Sequence, residues 1–168
     1  MEAIEPEPFK GEVWRVTRKG RDPLRGLVAH GRWSPNTEVL YTSIERDGAL
    51  AEIGYRLSLE PVWPSRIEHE IHRIGAELER VLRLAEIESL IPLGVNVARY
   101  QTFEYDATQA VAAAAFFLEF DGMLVPSARH PCLNLVVFTE RPVDLTLKEA
   151  RAVNWEVWRR ERRRTQKP

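Results

Sequence analysis

Between Asp106 and Asp121 the chain reads Ala-Thr-Gln-Ala-Val-Ala-Ala-Ala-Ala-Phe-Phe-Leu-Glu-Phe. Alanine is the best helix former, and Asp106 suits the N-cap, so the stretch predicts a helix over 107–119. That helix is apolar nearly all round and predicts a central, buried position. The chain has 168 residues, the size of one domain. Its other elements must therefore form a single layered core around this helix.

Those other elements are mostly β-patterned. Glu12–Thr17 is rich in β-branched and aromatic residues and predicts a first strand. A second, Val39–Ser43, runs into a helix with Ser43 as N-cap, Leu50, Ile53 and Leu57 at helical spacing, and Pro61 and Pro64 at its end. In 66–84, Ile67, His69 and Ile71 alternate, as do Leu78, Arg80, Leu82 and Leu84, which predicts two strands around Gly75. A short helix is expected over 85–91, stopped by Pro92 and Gly94. Asp121-Gly122 turns the chain into Met123-Leu124-Val125, and Leu133–Phe138 is the clearest strand. From about Leu147 the chain predicts a basic C-terminal helix. Without regular βαβ alternation the class is α+β, a compact single domain over 11–168. Residues 1–10, rich in Glu and Pro, predict a flexible arm.

Composition excludes several classes. The net charge is −1, so the whole molecule has no electrostatic pull on nucleic acid or anionic lipid. The one cysteine, Cys132, rules out an internal disulfide, argues against zinc, and is expected in the core. No N-terminal signal pattern and no apolar run of about 20 residues is present, so a cytoplasmic protein without a membrane partner is expected. His69 and His72 would face opposite sides of a strand, so no metal site is expected. Phosphate loops, nucleophile elbows and metalloprotease motifs are all missing.

What remains is a set of polar residues inside apolar elements. Arg15, between Trp14 and Val16, is either a solvated strand charge or a site residue. Arg32 follows Gly31, which allows close backbone approach to a ligand, and its planar fork suits phosphate; alternatively it stacks on Trp33. Tyr41 and Ser43 serve as core residue and cap, or face a ligand. Glu52 lies among small and apolar neighbours and must be exposed or specifically paired. Ser127, just past a buried-looking strand, is a turn residue or a site residue.

Together these segments resemble the RES domain, a family named for its Arg, Glu and Ser. The matching stretches are Val13-Trp14-Arg15-Val16, His30-Gly31-Arg32-Trp33-Ser34-Pro35, Val39–Ser43, Ala49-Leu50-Ala51-Glu52, Asp121–Ala128 and Leu133–Phe138. They fall in the family's order. The family's loop usually reads Gly-Gly-Arg-Trp-Asn; His30 and Ser34 depart from it.

The resemblance implies a fold similar to ADP-ribosyltransferases, with a cleft for NAD. It implies an NAD glycohydrolase or NAD phosphorylase, the toxin of a toxin–antitoxin system. NAD would be the substrate, inorganic phosphate a co-substrate, and no cofactor is implied. The implied partner is an antitoxin of the Xre helix-turn-helix type, with a homodimer as one assembly inside the complex and DNA reached only through the antitoxin. Glu52, Arg32, Tyr41 and Ser127 would be the catalytic set, with Glu52 supplying negative charge beside an oxocarbenium-like ribose. Arg15 and Arg32 would hold the pyrophosphate, Tyr41 would stack on nicotinamide or ribose, and Ser43, Ser127 and Asn134 would also contact NAD.

Three alternatives stay open at this point. The first is a mono-ADP-ribosyltransferase acting on a protein. The second is a nucleic-acid-binding module using Arg159, Arg160, Arg162, Arg163, Arg164 and Lys167, although the sequence shows no aromatic stacking platform beside them. The third is an inactive relative with an altered loop at His30 and Ser34.

Overall fold

The structure is a computed structural model that describes residues 4–166. Lys167 of the basic tail and residues 1–3 of the expected arm lie outside the described residues.

The first strand, β1 (Glu7–Arg18), begins earlier than the sequence suggests. Residues 7–10 pair with the far end of a long strand, so the arm expected over 1–10 is largely part of the sheet. That long strand, β4 (His69–Arg83), is one element of 15 residues. It corrects the expectation of two strands. Gly75 reads as a break in the sequence, yet β1 on one side and β7 (Asp144–Ala152) on the other carry β4 straight through it. The β7 strand also corrects the C-terminal helix expected from Leu147: residues 147–152 are strand, and the helix α3 (Trp155–Thr165) starts only after Asn154 accepts the Val157 N–H.

The strands β3 (Glu38–Ser43), β5 (Gly122–Pro126) and β6 (Leu133–Phe138) complete the sheet, with β2 (Leu27–Val28) on the edge of β3. Pairing runs β1–β3–β6–β5–β4 and returns through β4–β1, so these five strands close on themselves. Only β4 and β5 are parallel. Alternation then sorts the core. Val13, Leu40, Ile74, Leu124, Leu135 and Val137 fill the interior of the closed sheet. Val39, Met123, Val125, Val136 and Phe138 face a second core under the helix α2 (Asp106–Phe117). Val16 and Ile71 face a third, under α1 (Arg46–Ser58) and Trp155 of α3.

Further expectations need correction. Helix α2 is buried along one face only: Thr108, Val111, Ala112 and Ala115 are inside, but Phe117 is 83% exposed. Its alanines need little cover, so apolarity overstated how much of the helix is enclosed. Asp106 sits in its first turn, with Tyr105 in the cap position. Ser43 does not cap α1; Glu45 holds that position, and the Ser43 hydroxyl accepts the Glu45 N–H in the turn before it. Residues Ile87–Leu93 form a 3₁₀ helix that contains Pro92 and ends at Gly94. Cys132 is half-buried rather than in the core.

Candidate active site

The strands β1 and β3 pair at one position only, Trp14 with Ser43, whereas β1 stays paired with β4 along its length. Beyond that point β1 and β3 part, and a cleft opens between them, roofed by α1. Its volume is ≈ 210 Å³, and Arg15, Arg32, Tyr41, Ser43, Glu52 and Asn134 all contribute to its wall.

The cleft is built around Glu52. Helix α1 enters with buried Gly48, Ala49 and Ala51, whose small side chains let it sit close on the sheet, and with Leu50 packed in the core beneath it. That packing points Glu52 at the ends of β5 and β6. The Ser127 hydroxyl donates to Glu52 Oε1 at 2.7 Å, and Asn134 Nδ2 donates to the same oxygen at 3.1 Å. Asn134 lies directly opposite Ser43 in the β3–β6 register. Its Oδ1 is buried with no partner among the described residues, an acceptor available to a donor in the cleft.

Across the cleft, Arg32 stands on a tightly fixed loop. The Gly31 N–H is accepted by Ser34 Oγ, and the Trp33 N–H by Tyr41 Oη at 2.9 Å. Ser34 and Tyr41 also share a hydrogen bond of 2.8 Å. A Cβ on Gly31 would meet Tyr41 Oη at 2.5 Å, so only glycine lets that hydroxyl reach the loop. Ser34, one of the two departures from the family's usual loop, is thus buried and fully used. Gln109 of α2 donates to the Gly31 carbonyl.

Arg32 stacks between two tyrosines rather than on Trp33. Its guanidinium carbon is 4.8 Å from the Tyr100 ring centroid and 4.9 Å from that of Tyr105. Trp33 Nε1 donates to Tyr100 Oη, which donates in turn to the Pro126 carbonyl at 2.5 Å, one residue before Ser127. One hydrogen-bonded chain therefore ties the Arg32 loop to the Glu52 side of the cleft.

Burial governs the electrostatics. It lowers the basicity of Arg15 and of Arg32; for Arg32 the adjacent Tyr100, Tyr105 and Glu52 oppose the effect. It raises the Tyr41 hydroxyl and pushes Tyr100 up to about 12. Both tyrosines are neutral donors and acceptors at physiological pH. Charges in such a poorly solvated site act more strongly than in water.

The structure thus brings Glu52, Ser127, Asn134, Ser43, Tyr41 and Arg32 together. Arg15 also reaches the wall, but its Nη1 is given to the carbonyls of Pro23 and Arg25, so part of its guanidinium holds the loop after β1. Sequence reasoning missed Arg129, whose guanidinium lies 3.6 Å from the Tyr55 ring centroid, flanked by Phe103 and tied to the Gln101 carbonyl. Its place two residues beyond Ser127, in the same stretch, was the available signal. Tyr100 and Tyr105 lie in an irregular segment with no pattern to mark them.

No curated protein matches the sequence. Among solved structures, the chain is similar to one in the crystal structure of the M. tuberculosis MbcT–MbcA toxin–antitoxin complex. The TM-score is 0.79 at 21% identity, covering 95% of this chain and 92% of that one. At that identity the likeness speaks for the fold, which is α+β in one compact domain. The RES domain family model matches residues 12–160, nearly the whole chain, and the protein belongs to the RES domain family.

Proposed function

We propose that this RES domain protein cleaves the nicotinamide–ribose bond of NAD and serves as the toxin of a toxin–antitoxin pair. The observation that carries the reading is the convergence of Ser127 and Asn134 on one oxygen of Glu52, inside a cleft whose opposite wall holds Arg32.

The chemistry needs little more than placement and negative charge. Nicotinamide in NAD is a cationic leaving group. When the C1–N bond of the ribose breaks, the bonding pair neutralises the pyridinium, so no acid need protonate it. Positive charge shifts to the ribose, as in glycoside cleavage. The Glu52 carboxylate, fixed through Oε1, presents its other oxygen to that charge without reorganising. Water or inorganic phosphate then forms the new C–O bond, and water gives up its proton to a base, for which Glu52 is the placed candidate. Arg32, held between Tyr100 and Tyr105, keeps a planar fork for the pyrophosphate, and Arg129 offers a second. Tyr41 spends its hydroxyl on the loop, which leaves its ring as the surface for nicotinamide or ribose.

The fold likeness to a chain of a toxin–antitoxin complex supports the toxin reading and an antitoxin partner. The decisive experiment incubates purified protein with NAD, with and without phosphate, and follows nicotinamide release and the mass of the other product. Free ADP-ribose marks hydrolysis, ADP-ribose phosphate marks phosphorolysis, and a modified side chain marks protein transfer. No nicotinamide under any condition would falsify the reading.

A further inference from the structure

The arginines of α3 are only in part a solvated helix end: Arg160, Arg163 and Arg164 are exposed, but Arg159 and Arg162 are half-buried. Arg159, Arg162 and Arg163, at i, i+3 and i+4, share one face of the helix, and that face lines a hollow of ≈ 560 Å³. The other walls are the last turns of α1, from Gly54 to Ser58, and the loop of Glu60, Pro61 and Trp63. The helix is seated tightly. Trp158 lies where a Cβ on Gly54 would stand, 2.3 Å from it, and Trp155 packs edge-on against both Trp63 and Trp158.

This tryptophan frame orients the guanidinium groups of Arg159 and Arg162. Arg159 lies 4.3 Å above the Trp63 ring centroid, and Arg162 lies 5.1 Å above that of Trp158. An arginine on an indole face is held in orientation while its N–H edges stay free. Among the described residues, Arg159, Arg162 and Arg163 form no ion pair, whereas Arg160, on another face, pairs with Glu156. The hollow thus presents two oriented, unpaired guanidinium groups and the exposed Arg163 in a row about one helical turn long, which outnumber the one carboxylate in its lining, Glu60. The expectation of no aromatic platform beside these arginines needs correction: Trp158 in the same helix and Trp63 both stand there, each with a guanidinium over its ring. A guanidinium already on the ring competes with the base stacking that single-strand binding uses.

We infer that this hollow is a docking site for an acidic segment of a partner protein, whose carboxylates pair with Arg159, Arg162 and Arg163. Tyr55 lines both this hollow and the cleft of Glu52, so a partner seated here reaches the mouth of the active site without entering it.

The test uses the full chain and a labelled oligoglutamate peptide of about eight residues, which spans about two helical turns. Binding is measured by anisotropy against two variants of equal net charge, Arg159→Gln/Arg162→Gln and Arg160→Gln/Arg164→Gln. Thermal melts confirm that both are folded. The first pair should weaken binding by about tenfold or more, as expected for lost charge-assisted hydrogen bonds, and the second by much less. Equal loss in both would show mere net-charge attraction and overturn the site. So would a failure of the peptide to bind, or tighter binding of a single-stranded oligonucleotide of equal charge that loses affinity in the first pair.

Discussion

Ser127 Oγ donates to Glu52 Oε1 at 2.7 Å, joining the end of β5 to the middle of α1. Asn134 adds a second donor to the same oxygen. The carboxylate is therefore aimed as well as placed. Replacing Glu52 with Gln keeps the shape and an oxygen for both donors but removes the charge. Nicotinamide release should fall about 10²–10³-fold, the usual cost of losing one aimed electrostatic group, with the melting temperature little changed. Normal turnover by folded Glu52→Gln would remove this residue from the mechanism.

Tyr100 links the two sides of the cleft through one hydroxyl, between Trp33 Nε1 and the Pro126 carbonyl. Tyr100→Phe keeps the ring beneath Arg32 and strands the buried Trp33 Nε1–H and the half-buried Pro126 carbonyl. Leaving such groups unsatisfied costs about 1–3 kcal/mol, so urea unfolding should show a loss of that size. Turnover at saturating NAD should fall as well, because the Arg32 loop and the Ser127 end lose their common anchor. A stability loss with unchanged turnover would make Tyr100 purely structural.

The sequence marked residues that meet at the cleft, and the fold class, better than it marked the bounds of the strands. Glu52, Ser127 and Asn134 lie far apart in the chain, and only short motifs in family order suggested that they meet. Local patterning marked β1, β3, β5 and β6, because each alternates or runs apolar against a packed core. It failed where tertiary pairing overrode a local signal. Gly75 weakens a strand, yet two flanking neighbours carry β4 through it. The segment after Leu147 is largely exposed on an edge strand, so it lacks the apolar alternation that marks a half-buried one. The aromatic clamps on Arg32, Arg129 and Arg159 escaped notice because each joins segments distant in sequence, whereas that of Arg162 on Trp158 is an i, i+4 pair within α3 that the sequence could have shown.

Arg129 and Arg15 should separate by phenotype. Arg129 projects beside Tyr55 with one hydrogen bond to the Gln101 carbonyl, while Arg15 spends Nη1 on two carbonyls of the loop after β1. Arg129→Ala should raise KM for NAD about tenfold or more, the worth of a hydrogen bond to a charged group, with a smaller effect on kcat. Arg15→Ala should chiefly lower stability, by freeing the Pro23 and Arg25 carbonyls. Steady-state kinetics and urea unfolding of both variants check the split, and a kinetic effect confined to Arg15→Ala would reverse the assignment.

Stability should fall in mild acid because of two buried histidines. His69 Nδ1 accepts the Trp155 Nε1–H at 3.0 Å, which requires an unprotonated nitrogen, and His72 Nε2 shares a hydrogen bond with Thr17 at 2.9 Å. Burial is the main cause that lowers both below the ordinary value of 6.5. Arg18 adds to the effect at His69; at His72, Arg15 adds to it and Glu70 opposes it. In the unfolded chain both titrate near 6.5, so below that pH the unfolded state binds more protons than the folded one. Their contribution is fully present above about pH 7 and is lost as pH falls from 6.5 through the lowered folded values. Urea midpoints should therefore be flat between about pH 7 and 8 and drop as pH falls below about 6.5. In His69→Gln/His72→Gln, whose amides do not titrate, the drop should shrink. An undiminished drop in that variant would trace the acid sensitivity to other groups. Because His69 anchors Trp155, and Trp155 carries the tryptophan frame of α3, the same acid step should loosen the arginine-lined hollow before the sheet unfolds.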